Sequence, residues 1–368
     1  MKHICFVTGL YKRYDPLIFA RQGKSLAKAG YKVTYVVCDL NENETIDGID
    51  IVSTKYKPKN RLDRFLNTKK ILWKFIKKTD ADIYQISDPE LIFLIPKIKG
   101  IGKQVIFNMR EYYPDMLKKK HYIPKLFRNL ASNIYERLII SYFKHADAVF
   151  IVTDWILDIV KNKYGISKSY LLTNFPNVNK NFSLTKEEYM SRSDTLCYEG
   201  TIYKSSRQEN VFDALINLPY VHYILAGKID DTNNVIKQHP YWKNVEFING
   251  FKLSDLPNIF GRSTISNVFR DFGNRDGSLG VIKIFESMEA GLPVLLADVP
   301  LYRKLNEKYH CGICVNPNDK QQIEEAIKYL TENKEEAYIM GQNGRRAVVE
   351  EYNWEKQAEN YMKIISKL

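Results

Sequence analysis

Several classes of protein are excluded by what this sequence lacks. Among its 368 residues there are only five cysteines, an odd number at irregular positions, which argues against a disulfide framework and favours a reducing cytoplasm. No apolar run approaches the roughly 18 residues of a transmembrane helix. There is neither a short repeat nor a low-complexity segment. The apolar part of residues 1–9 is too short for a signal peptide and is expected to form a first buried strand.

Acidic residues are scarce in the first half of the chain. Residues 1–170 hold 31 Lys and Arg against 17 Asp and Glu, whereas the remainder holds 24 against 26. The excess is concentrated in residues 55–78 and 118–128, where aromatic and aliphatic side chains are interleaved with basic ones. Such segments suit an anionic membrane surface. There are two alternatives. The segments could bind nucleic acid, or they could form a solvated basic face whose apolar residues turn into the core.

The first half alternates between short apolar strands and helical spacings. Strands are predicted at residues 4–8, 33–38, 83–86, 105–108 and 148–152, and helices at 16–29, 64–77, 90–97 and 129–144. Gly30 ends the first of these helices. Strands that alternate with helices predict an α/β fold with a parallel, doubly wound sheet and right-handed crossovers.

A second cycle of strands begins near residue 195. Strands are predicted at residues 196–199, 222–225, 245–248, 264–268 and 294–297, and the first three are followed by Gly200, Gly227 and Gly250. Between the two halves, residues 171–178 read as a strand that runs into a Pro/Asn turn. We therefore place a domain boundary at about residue 175 and expect a helical tail over residues 344–368.

The most informative stretch is residues 278–296, which read Ser278-Leu-Gly-Val-Ile-Lys283-Ile-Phe-Glu286-Ser-Met-Glu-Ala-Gly-Leu-Pro-Val-Leu-Leu. A small-residue turn leads into a helix that carries Lys283 and Glu286 one turn apart on the same face. The helix N-terminus offers unpaired N–H groups to an anion, and Lys283 adds a full positive charge. Glu286 can accept hydrogen bonds from hydroxyls. A sugar nucleotide needs this combination, with donors for its diphosphate and a carboxylate for its ribose.

This stretch resembles the donor-site signature of glycosyltransferase family 4, whose members often read Lys-x-x-Glu-Tyr-Met-Ala-x-Gly-x-Pro-Val. Residues 15–34, 81–88, 108–114, 146–177 and 343–354 extend the likeness, in the family's order and spacing, over almost the whole chain. The resemblance implies the GT-B architecture, in which two Rossmann-like parallel-sheet domains face each other across a cleft. We expect an acceptor domain over residues 1–175, with a C-terminal helix of about residues 352–368 packing back on it, and a nucleotide-sugar donor domain over residues 176–351.

For the donor domain, the resemblance implies that basic side chains and a helix N-terminus stabilise the departing diphosphate without a metal. Lys283 is the first candidate. The second comes from the loop after Gly200, where we prefer Arg207 to Lys204 because a guanidinium can grip phosphate oxygens bidentately. Glu286 would hold the ribose hydroxyls. Many members carry a second glutamate eight residues before this one, at the position where this chain has Ser278. Ser278, Leu279 and Gly280 are expected to offer backbone N–H groups to the phosphates or the sugar. Gly250 and Phe251 are expected to line a pocket for the base.

In the acceptor domain the chain departs further from the family. Members commonly place one histidine in a His-x-His-Asp loop and another before a Glu-Tyr-Tyr-Pro segment, whereas this chain reads Gln-Ile-Ser-Asp88 and Arg110. Arg110 could stabilise charge but cannot act as a base, since its pKa exceeds about 12. Asp88 and Glu111 would orient the acceptor, or else cap the next helix. Gly9 would let the acceptor or a phosphate approach the backbone, and His121 is a further residue on the acceptor side.

The expected function is a retaining transfer of a hexose-type sugar from a nucleotide diphosphate donor to a surface-polysaccharide or lipid-linked glycan acceptor, at the inner face of the cell membrane. Retaining enzymes of this fold are thought to let the leaving phosphate take the acceptor proton, so a side-chain base is dispensable. A degenerate nucleotide-sugar-binding scaffold and a nucleotide-sugar 2-epimerase are the alternatives. No metal or cofactor is expected, because Cys311-Gly-Ile-Cys314 has no second pair and Asp80-Ala-Asp82 precedes a strand, at the wrong end of a parallel sheet.

Overall fold

A computed structural model describes residues 1–120, 123–179, 184–273 and 277–368, apart from the side chains of residues 119, 232 and 253. The chain divides into two compact units. One comprises Met1–Asn174 together with Lys356–Leu368, and the other comprises Phe175–Glu355. Each unit has its own buried core of strands covered by helices. None of the helices in the described ranges combines the length and hydropathy that a membrane-spanning segment requires.

The N-terminal unit is built on one sheet. Its strands are β1 (His3–Thr8), β2 (Lys32–Val37), β3 (Glu44–Ile46), β4 (Ile49–Ser53), β5 (Ile83–Ile86), β6 (Gln104–Met109), β7 (Ala148–Ile151) and β8 (Ser169–Leu171). Their order is β3-β4-β2-β1-β5-β6-β7-β8. Every pair is parallel except β3 and β4. Because helices cover both faces, the central strands are buried along almost their whole length instead of alternating between buried and exposed positions.

The β3–β4 hairpin is absent from the sequence prediction, although the chain carries a signal for it. Asp47 and Gly48 join the two strands, and both have positive φ, +53° and +75°. A two-residue turn with both residues left-handed matches the right-handed twist of the flanking strands, and Asp-Gly is a preferred sequence for it. The short hairpin therefore extends the sheet at its edge.

The helices of this unit are less regular than the sequence predicts. They are α1 (Lys24–Lys28), α2 (Arg61–Asp63), α3 (Lys69–Thr79), α4 (Ile95–Gly100), α5 (Tyr113–Lys119), α6 (Lys125–Phe143) and α7 (Asp154–Asp158), with π-helical stretches at Ile18–Gly23, Arg64–Thr68 and Ile159–Lys163 and a 3₁₀ stretch at Pro89–Leu94. The predicted single helices 16–29, 64–77 and 90–97 are thus each divided. In the last case Pro96 has no N–H to offer the Ile92 carbonyl, which accepts instead from Ile95 in 3₁₀ fashion.

The C-terminal unit contains a fully parallel sheet. Its strands are β9 (Thr195–Glu199), β10 (His222–Gly227), β11 (Val245–Asn249), β12 (Ile265–Asn267), β13 (Val294–Ala297) and β14 (Gly312–Val315). Their order is β11-β10-β9-β12-β13-β14. From β9, the strands β10 and β11 follow on one side, and β12, β13 and β14 follow on the other side. This is the doubly wound arrangement of nucleotide-binding folds.

The helices of the second unit lie between these strands. They are α8 (Lys186–Met190), α9 (Gln208–Leu215), α10 (Leu256–Gly261), α11 (Ile282–Glu289), α12 (Pro300–Tyr309), α13 (Lys320–Glu332) and α14 (Lys334–Glu350), with 3₁₀ stretches at Lys204–Ser206, Asp231–Gln238, Pro240–Asn244 and Leu253–Asp255. The final helix, α15 (Trp354–Ile365), is separate from α14. The helical tail predicted for residues 344–368 is therefore confirmed, and the structure divides it into the end of α14 and α15. The break occurs where the Asn353 side-chain amide donates to the Val348 carbonyl at 2.7 Å.

The end of the chain is anchored within the N-terminal unit. The Tyr361 hydroxyl of α15 donates to Gln85 Oε1 of β5 at 2.7 Å, and the Tyr361 ring lies 5.1 Å from that of Phe150 in β7. Both contacts are buried. A buried phenol needs such a partner for its hydroxyl, so these contacts fix the position of α15 on the sheet.

Candidate functional site

The reversal of strand order in the C-terminal unit lies between β9 and β12. Ligands of doubly wound sheets bind beyond the carboxyl ends of the strands at such a reversal. Strand β9 ends at Glu199 and is followed by Gly200, whose φ is +109°. Gly227 approaches from the end of β10 so closely that a Cβ there would lie 1.8 Å from the Gly200 carbonyl oxygen. The two glycines, both predicted as strand ends, thus hold two loops in direct backbone contact.

Lys283 is brought to this point by the first turn of α11. Its Nζ donates to the Glu199 carbonyl oxygen at 2.7 Å and lies 3.8 Å from the centroid of the Tyr198 ring. A Cβ on Gly200 would come within 3.0 Å of Nζ, so a glycine is what lets the ammonium approach. Among the described residues Lys283 forms no ion pair. A cation fixed in this way at the strand ends is suited to bind an anion.

The carboxyl group of Glu199 is a feature that the sequence analysis missed. The residue is buried, and its Oε1 atom has no hydrogen-bond partner in the part of the chain that the structure describes. Burial raises the pKa of this carboxyl, and the nearby charge of Lys283 acts in the opposite direction. Its place at the end of a predicted strand, directly before Gly200, is the signal that could have identified it.

The loop after Gly200 carries the two alternative basic candidates. Arg207 adopts a left-handed backbone, with φ +51°, and its guanidinium forms an ion pair with Asp271. Asp271 is held in turn, because its N–H donates to the Ser205 carbonyl at 2.6 Å and its carboxylate accepts from the Gly273 N–H at 2.8 Å. Lys204 is exposed. The structure therefore fixes Arg207 in place and leaves Lys204 extended into solvent.

The turn before α11 holds the remaining donor-side candidates. Glu286 is half-buried one turn beyond Lys283, as the spacing predicts. Ser278 is buried, and its carbonyl accepts from the Tyr302 hydroxyl at 2.9 Å. Its Oγ accepts the Gly280 N–H at 3.1 Å. Backbone donors were expected here from Ser278, Leu279 and Gly280. Of these, the Gly280 N–H is already engaged within the turn.

Gly250 and Phe251, the candidates for the base pocket, lie farther along the sheet. Gly250 follows β11, the edge strand, and is separated from β9 by β10. Its φ is +77°, and a Cβ there would meet the Lys228 side chain at 3.7 Å. Phe251 is half-buried against the core of the unit. Among the described residues, neither Gly250 nor Phe251 forms a hydrogen bond or ring contact with Lys283.

The N-terminal unit reverses its strand order between β1 and β5, and Asp88 lies there. Its two carboxylate oxygens accept from the Thr8 hydroxyl and from the Gly9 N–H, each at 2.6 Å. The Thr8 hydroxyl oxygen accepts in turn from the N–H groups of Leu10 and Tyr11, at 3.1 and 3.0 Å. Complete burial, reinforced by the charge of Glu90, raises the pKa of Asp88 to about 7. Asp88 therefore ties down the loop that follows β1.

Arg110 has its charge compensated. Its Nη1 donates to both carboxylate oxygens of Asp15 at 2.9 Å, and its guanidinium lies 4.1 Å from the centroid of the Tyr11 ring. Asp15 also accepts the N–H groups of Leu17 and Ile18, at 3.0 and 2.9 Å, at the start of the first helical segment. Asp15 was not singled out from the sequence. Glu111 is exposed, and the predicted acceptor-side residue His121 lies outside the described residues.

A cavity of about 1180 Å³ opens beside these residues, entirely within the N-terminal unit. Glu111 is part of its wall, but most of the wall is apolar or aromatic: Leu10, Tyr11, Tyr14, Pro16, Leu62, Phe65, Pro89, Tyr113, Met116, Leu117 and Tyr135. A second cavity, of about 860 Å³, adjoins it and includes Gly9. Both cavities lie at the carboxyl ends of parallel strands, where ligands of this class of fold bind.

Comparison with known families identifies the chain. A family model described as "Glycosyltransferase Family 4" matches residues 19–175, and one described as "Glycosyl transferases group 1" matches residues 184–347. The chain belongs to glycosyltransferase family 4. Among curated proteins, an uncharacterized family relative, the glycosyltransferase MJ1069 of Methanocaldococcus jannaschii, is 22% identical over 261 residues. That match covers 66% of this chain and 64% of the relative, somewhat less than two thirds of its length.

Solved structures place this family 4 chain in the GT-B fold. A sucrose-phosphate synthase from Thermosynechococcus elongatus superposes with a TM-score of 0.75 at 16% identity, covering 100% of this chain and 99% of the other. The Anabaena protein HepE, in complex with UDP-glucose, gives a TM-score of 0.71 at 12% identity, with 100% of each chain covered. At these identities the likeness concerns the fold. The predicted family, the GT-B fold and the glycosyltransferase class are confirmed.

The described residues of this family 4 chain contain no group of three or more His, Cys, Asp or Glu side chains arranged to hold a metal ion. Asp80 has a left-handed backbone, with φ +48°, and pairs with Lys103 at 2.8 Å. Asp82 accepts the His3 N–H at 2.7 Å. The two carboxylates of the Asp80-Ala-Asp82 sequence are thus engaged separately, at the amino end of β5.

Proposed function

We propose that the protein is a retaining glycosyltransferase that moves a hexose-type sugar from a nucleotide diphosphate donor to a glycan acceptor. The observation that carries the proposal is the ammonium group of Lys283. It is fixed at the end of central strand β9 by the Glu199 carbonyl and the Tyr198 ring, and it forms no ion pair among the described residues. A departing diphosphate develops negative charge as its bond to the sugar breaks. A preorganised cation at that place stabilises the departure.

The proposed step breaks the bond between the sugar C1 and the phosphate oxygen, and the electron pair stays on that oxygen. The acceptor hydroxyl attacks C1 from the same face, and its proton passes to the leaving phosphate. Two features support a route without a side-chain base. Both oxygens of Asp88 are already engaged, and Arg110 is paired with Asp15. Glu111 is then left to orient the acceptor.

The remaining donor-side roles follow from the same arrangement. Arg207, held by Asp271, would grip the diphosphate together with Lys283. Glu286 would accept hydrogen bonds from the ribose hydroxyls. We propose that the lysine and arginine charges replace a metal ion, so that transfer continues in EDTA. HepE was solved with UDP-glucose, which makes that sugar nucleotide the first donor to test.

We propose further that the acceptor is a surface-polysaccharide or lipid-linked glycan and that the protein works at the cytoplasmic face of an anionic membrane. The exposed face of α6 supports this. Leu126, Leu130 and Ile134 recur every four residues on this helix and are at least half exposed, Leu126 by 84%. Exposed apolar groups beside basic ones suit a lipid interface. In the other basic segment Leu72 and Ile76 belong instead to the core.

The test of the reaction is a panel of UDP-, GDP-, ADP- and CMP-sugars with the purified protein in EDTA, followed by thermal shift and nucleotide release. Stabilisation and slow release with one donor, both lost in Lys283→Ala and Glu286→Ala, are the expected result. Stabilisation without release, even after membrane extract is added as acceptor, would indicate a binding scaffold. Conversion of the sugar to its 2-epimer would indicate an epimerase. Stabilisation by none of the donors would contradict the roles given to Lys283 and Glu286.

The membrane proposal has a separate test. Sedimentation with vesicles that contain anionic lipid should be reduced at least about fivefold by Leu126→Glu with Leu130→Glu, since two exposed apolar contacts are replaced by charges of the lipid's own sign. Leu40→Glu is the matched control, because Leu40 is 63% exposed but lies outside α6. Equal sedimentation of the α6 variant, the control and the unmodified protein would contradict the docking face.

A further inference from the structure

Glu199 places an ionisable side chain beside Lys283, at the end of strand β9. The residue is only 6% exposed, and its Oε1 atom has no hydrogen-bond partner in the described part of the chain. Its backbone carbonyl, by contrast, accepts from the Lys283 ammonium at 2.7 Å. We propose that Glu199 is a further residue of the donor site, whose carboxylate takes up a proton when the diphosphate of a sugar nucleotide binds to Lys283.

The surroundings of this carboxyl group differ from those of a structural residue. A buried carboxylate is ordinarily stabilised by an ion pair or by several hydrogen bonds. Asp88 shows the ordinary case, since its two oxygens accept from the Thr8 hydroxyl and the Gly9 N–H. Among the described residues, Glu199 forms no ion pair and its Oε1 accepts no hydrogen bond. A structural role leaves such a group unexplained, whereas a role in the charge balance of the site accounts for it.

Few charges surround the Glu199 carboxyl. Among the described residues, the charge that acts on it is that of Lys283, on α11. The neighbouring strands contribute none, since β10 places Ala226 opposite Glu199 and β12 carries only neutral side chains. In the loop that follows β9, Arg207 is paired with Asp271. The state of the carboxyl is therefore linked above all to that of Lys283.

Three further titratable groups lie on the same elements. The Tyr198 hydroxyl donates to the Thr201 carbonyl at 3.0 Å, Lys204 is exposed, and Glu286 lies one turn beyond Lys283 on α11. Burial raises the pKa of Glu199, and the charge of Lys283 lowers it to a smaller extent. The carboxyl is thus held between its charged and neutral forms by two opposing influences, and a ligand of Lys283 alters one of them.

A diphosphate changes this balance because it brings negative charge to Lys283. An ionised Glu199 would partly neutralise the ammonium and would repel the phosphate oxygens across the low-dielectric interior. A protonated Glu199 does neither, so the site attracts a diphosphate most strongly when this carboxyl is neutral. The bound diphosphate in turn raises the pKa of Glu199, and a proton is taken up from the buffer. Donor affinity must then fall as pH rises, by up to about tenfold for each pH unit.

The test measures proton uptake and donor affinity together. It rests on the proposed function, which places the diphosphate at Lys283. UDP-glucose, or the sugar nucleotide that the donor panel selects in its place, is titrated calorimetrically into the full chain between about pH 5.5 and about pH 8.5. Pairs of buffers with different enthalpies of ionisation report the protons taken up, and the diphosphate diester itself does not titrate in this range. The unmodified protein should take up as much as about one proton and lose at least about tenfold in affinity as the pH rises.

Neutral variants assign the proton to Glu199. Glu199→Gln keeps the size of the side chain but cannot ionise, so it should bind the donor without proton uptake. Near pH 8.5 it should bind at least about tenfold more tightly than the unmodified protein. Glu246→Gln is the matched control, because it removes the same charge from an exposed position on β11 of the same unit, and it should behave as the unmodified protein does. Glu199→Val, whose branched side chain suits a buried strand, is the second neutral variant if Glu199→Gln does not fold.

The outcomes separate this inference from the proposed function. Donor binding with constant affinity and no proton uptake contradicts the inference and leaves the proposed function intact. Asp88 is another buried carboxyl that could supply the signal, so uptake that persists in Glu199→Gln but disappears in Asp88→Asn would also overturn the inference. Binding of none of the sugar nucleotides at any pH would contradict the proposed function, and this inference with it.

Discussion

The two units wind their sheets in the same way but use the ionisable groups at the reversal of strand order differently. In the N-terminal unit the reversal holds the buried carboxyl of Asp88, whose two oxygens are satisfied by Thr8 and Gly9. In the C-terminal unit it holds the ammonium of Lys283, which donates to the Glu199 carbonyl and lies over the Tyr198 ring, near the buried Glu199 carboxyl. One group stabilises its own loop, and the other retains its charge for a ligand. The fold thus determines where a site lies, and individual side chains determine what it binds.

The largest effect that the comparison predicts is the loss of activity in Lys283→Met. Methionine keeps an apolar stem over the Tyr198 ring but removes the charge. We expect turnover to fall by about 10²–10³-fold, as for the loss of one preorganised donor at a developing anion. The free energy of unfolding should fall by only about 1 kcal/mol, the worth of one hydrogen bond. Rates with the donor found in the panel, together with urea unfolding, measure both quantities.

Arg110→Met is the contrasting variant in the N-terminal unit. It leaves Asp15 without its bidentate partner, so stability should fall by about 2–4 kcal/mol, as when one partner of a largely buried pair is removed. Nucleotide-sugar binding should be unchanged wherever the variant is folded. A loss of donor binding in folded Arg110→Met, or none in Lys283→Met, would remove the distinction between the two cations.

The glycines beside the two reversals should also respond differently to alanine. In Gly227→Ala the new Cβ would lie 1.8 Å from the Gly200 carbonyl oxygen, at a φ of +146°, and backbone cannot move aside cheaply. We expect a loss of about 3 kcal/mol or more in unfolding free energy. In Gly9→Ala the Cβ would lie 2.1 Å from Cγ2 of Thr68, a side-chain methyl, and a loss of about 1–3 kcal/mol is expected.

A second substitution separates these two cases. Thr68→Ser removes the methyl group that a Cβ on Gly9 would meet, so it should restore most of the stability of Gly9→Ala. It should not restore Gly227→Ala, which lies in the other unit. Urea unfolding of the single and double variants gives the coupling energy directly. Additive losses for Gly9→Ala and Thr68→Ser would show that the clash has another cause.

The sequence predicts the central strands and the donor-side motif well, because both depend on local pattern. The spacing of Lys283 and Glu286 predicts one helix face, and the structure has α11 there. The Asp47-Gly48 hairpin was missed although its turn signal is present in the sequence. The ion-pair partners of the site residues could not be predicted from the sequence. Asp271 lies 64 positions from Arg207, and Asp15 lies 95 positions from Arg110, so no local pattern links them.

The buried carboxyl of Asp88 should make the stability of the protein depend on pH. Its pKa of about 7 lies above the ordinary 3.8, so between these values the folded chain binds more protons than the unfolded chain. The contribution of Asp88 to stability is therefore present at acid pH and is lost as pH rises to about 7. Compared with Asp88→Asn, the unmodified protein should lose about 3 kcal/mol of unfolding free energy between pH 4.5 and 7.5. Parallel pH profiles for the two proteins would contradict the raised pKa.

The smallest predicted effect concerns Arg207, which combines a left-handed backbone with the charge proposed for the diphosphate. Arg207→Gly relieves a strain of about 1 kcal/mol but loses the ion pair with Asp271, which is partly exposed and worth at most about that much. Unfolding free energy should therefore change by less than about 0.5 kcal/mol, while donor affinity falls about tenfold.

His310 provides the matched control, because it has the same left-handed backbone, with φ +50°, at the end of α12. His310→Gly should raise stability by up to about 1 kcal/mol and leave donor affinity unchanged, since no ion pair at the donor loop is lost. If donor affinity survives Arg207→Gly but falls in Lys204→Ala, the exposed lysine is the second phosphate ligand. In that case Arg207, with its strained backbone, serves only to hold Asp271 in place. The positive charge of the site in the C-terminal unit would then come from Lys283 and Lys204.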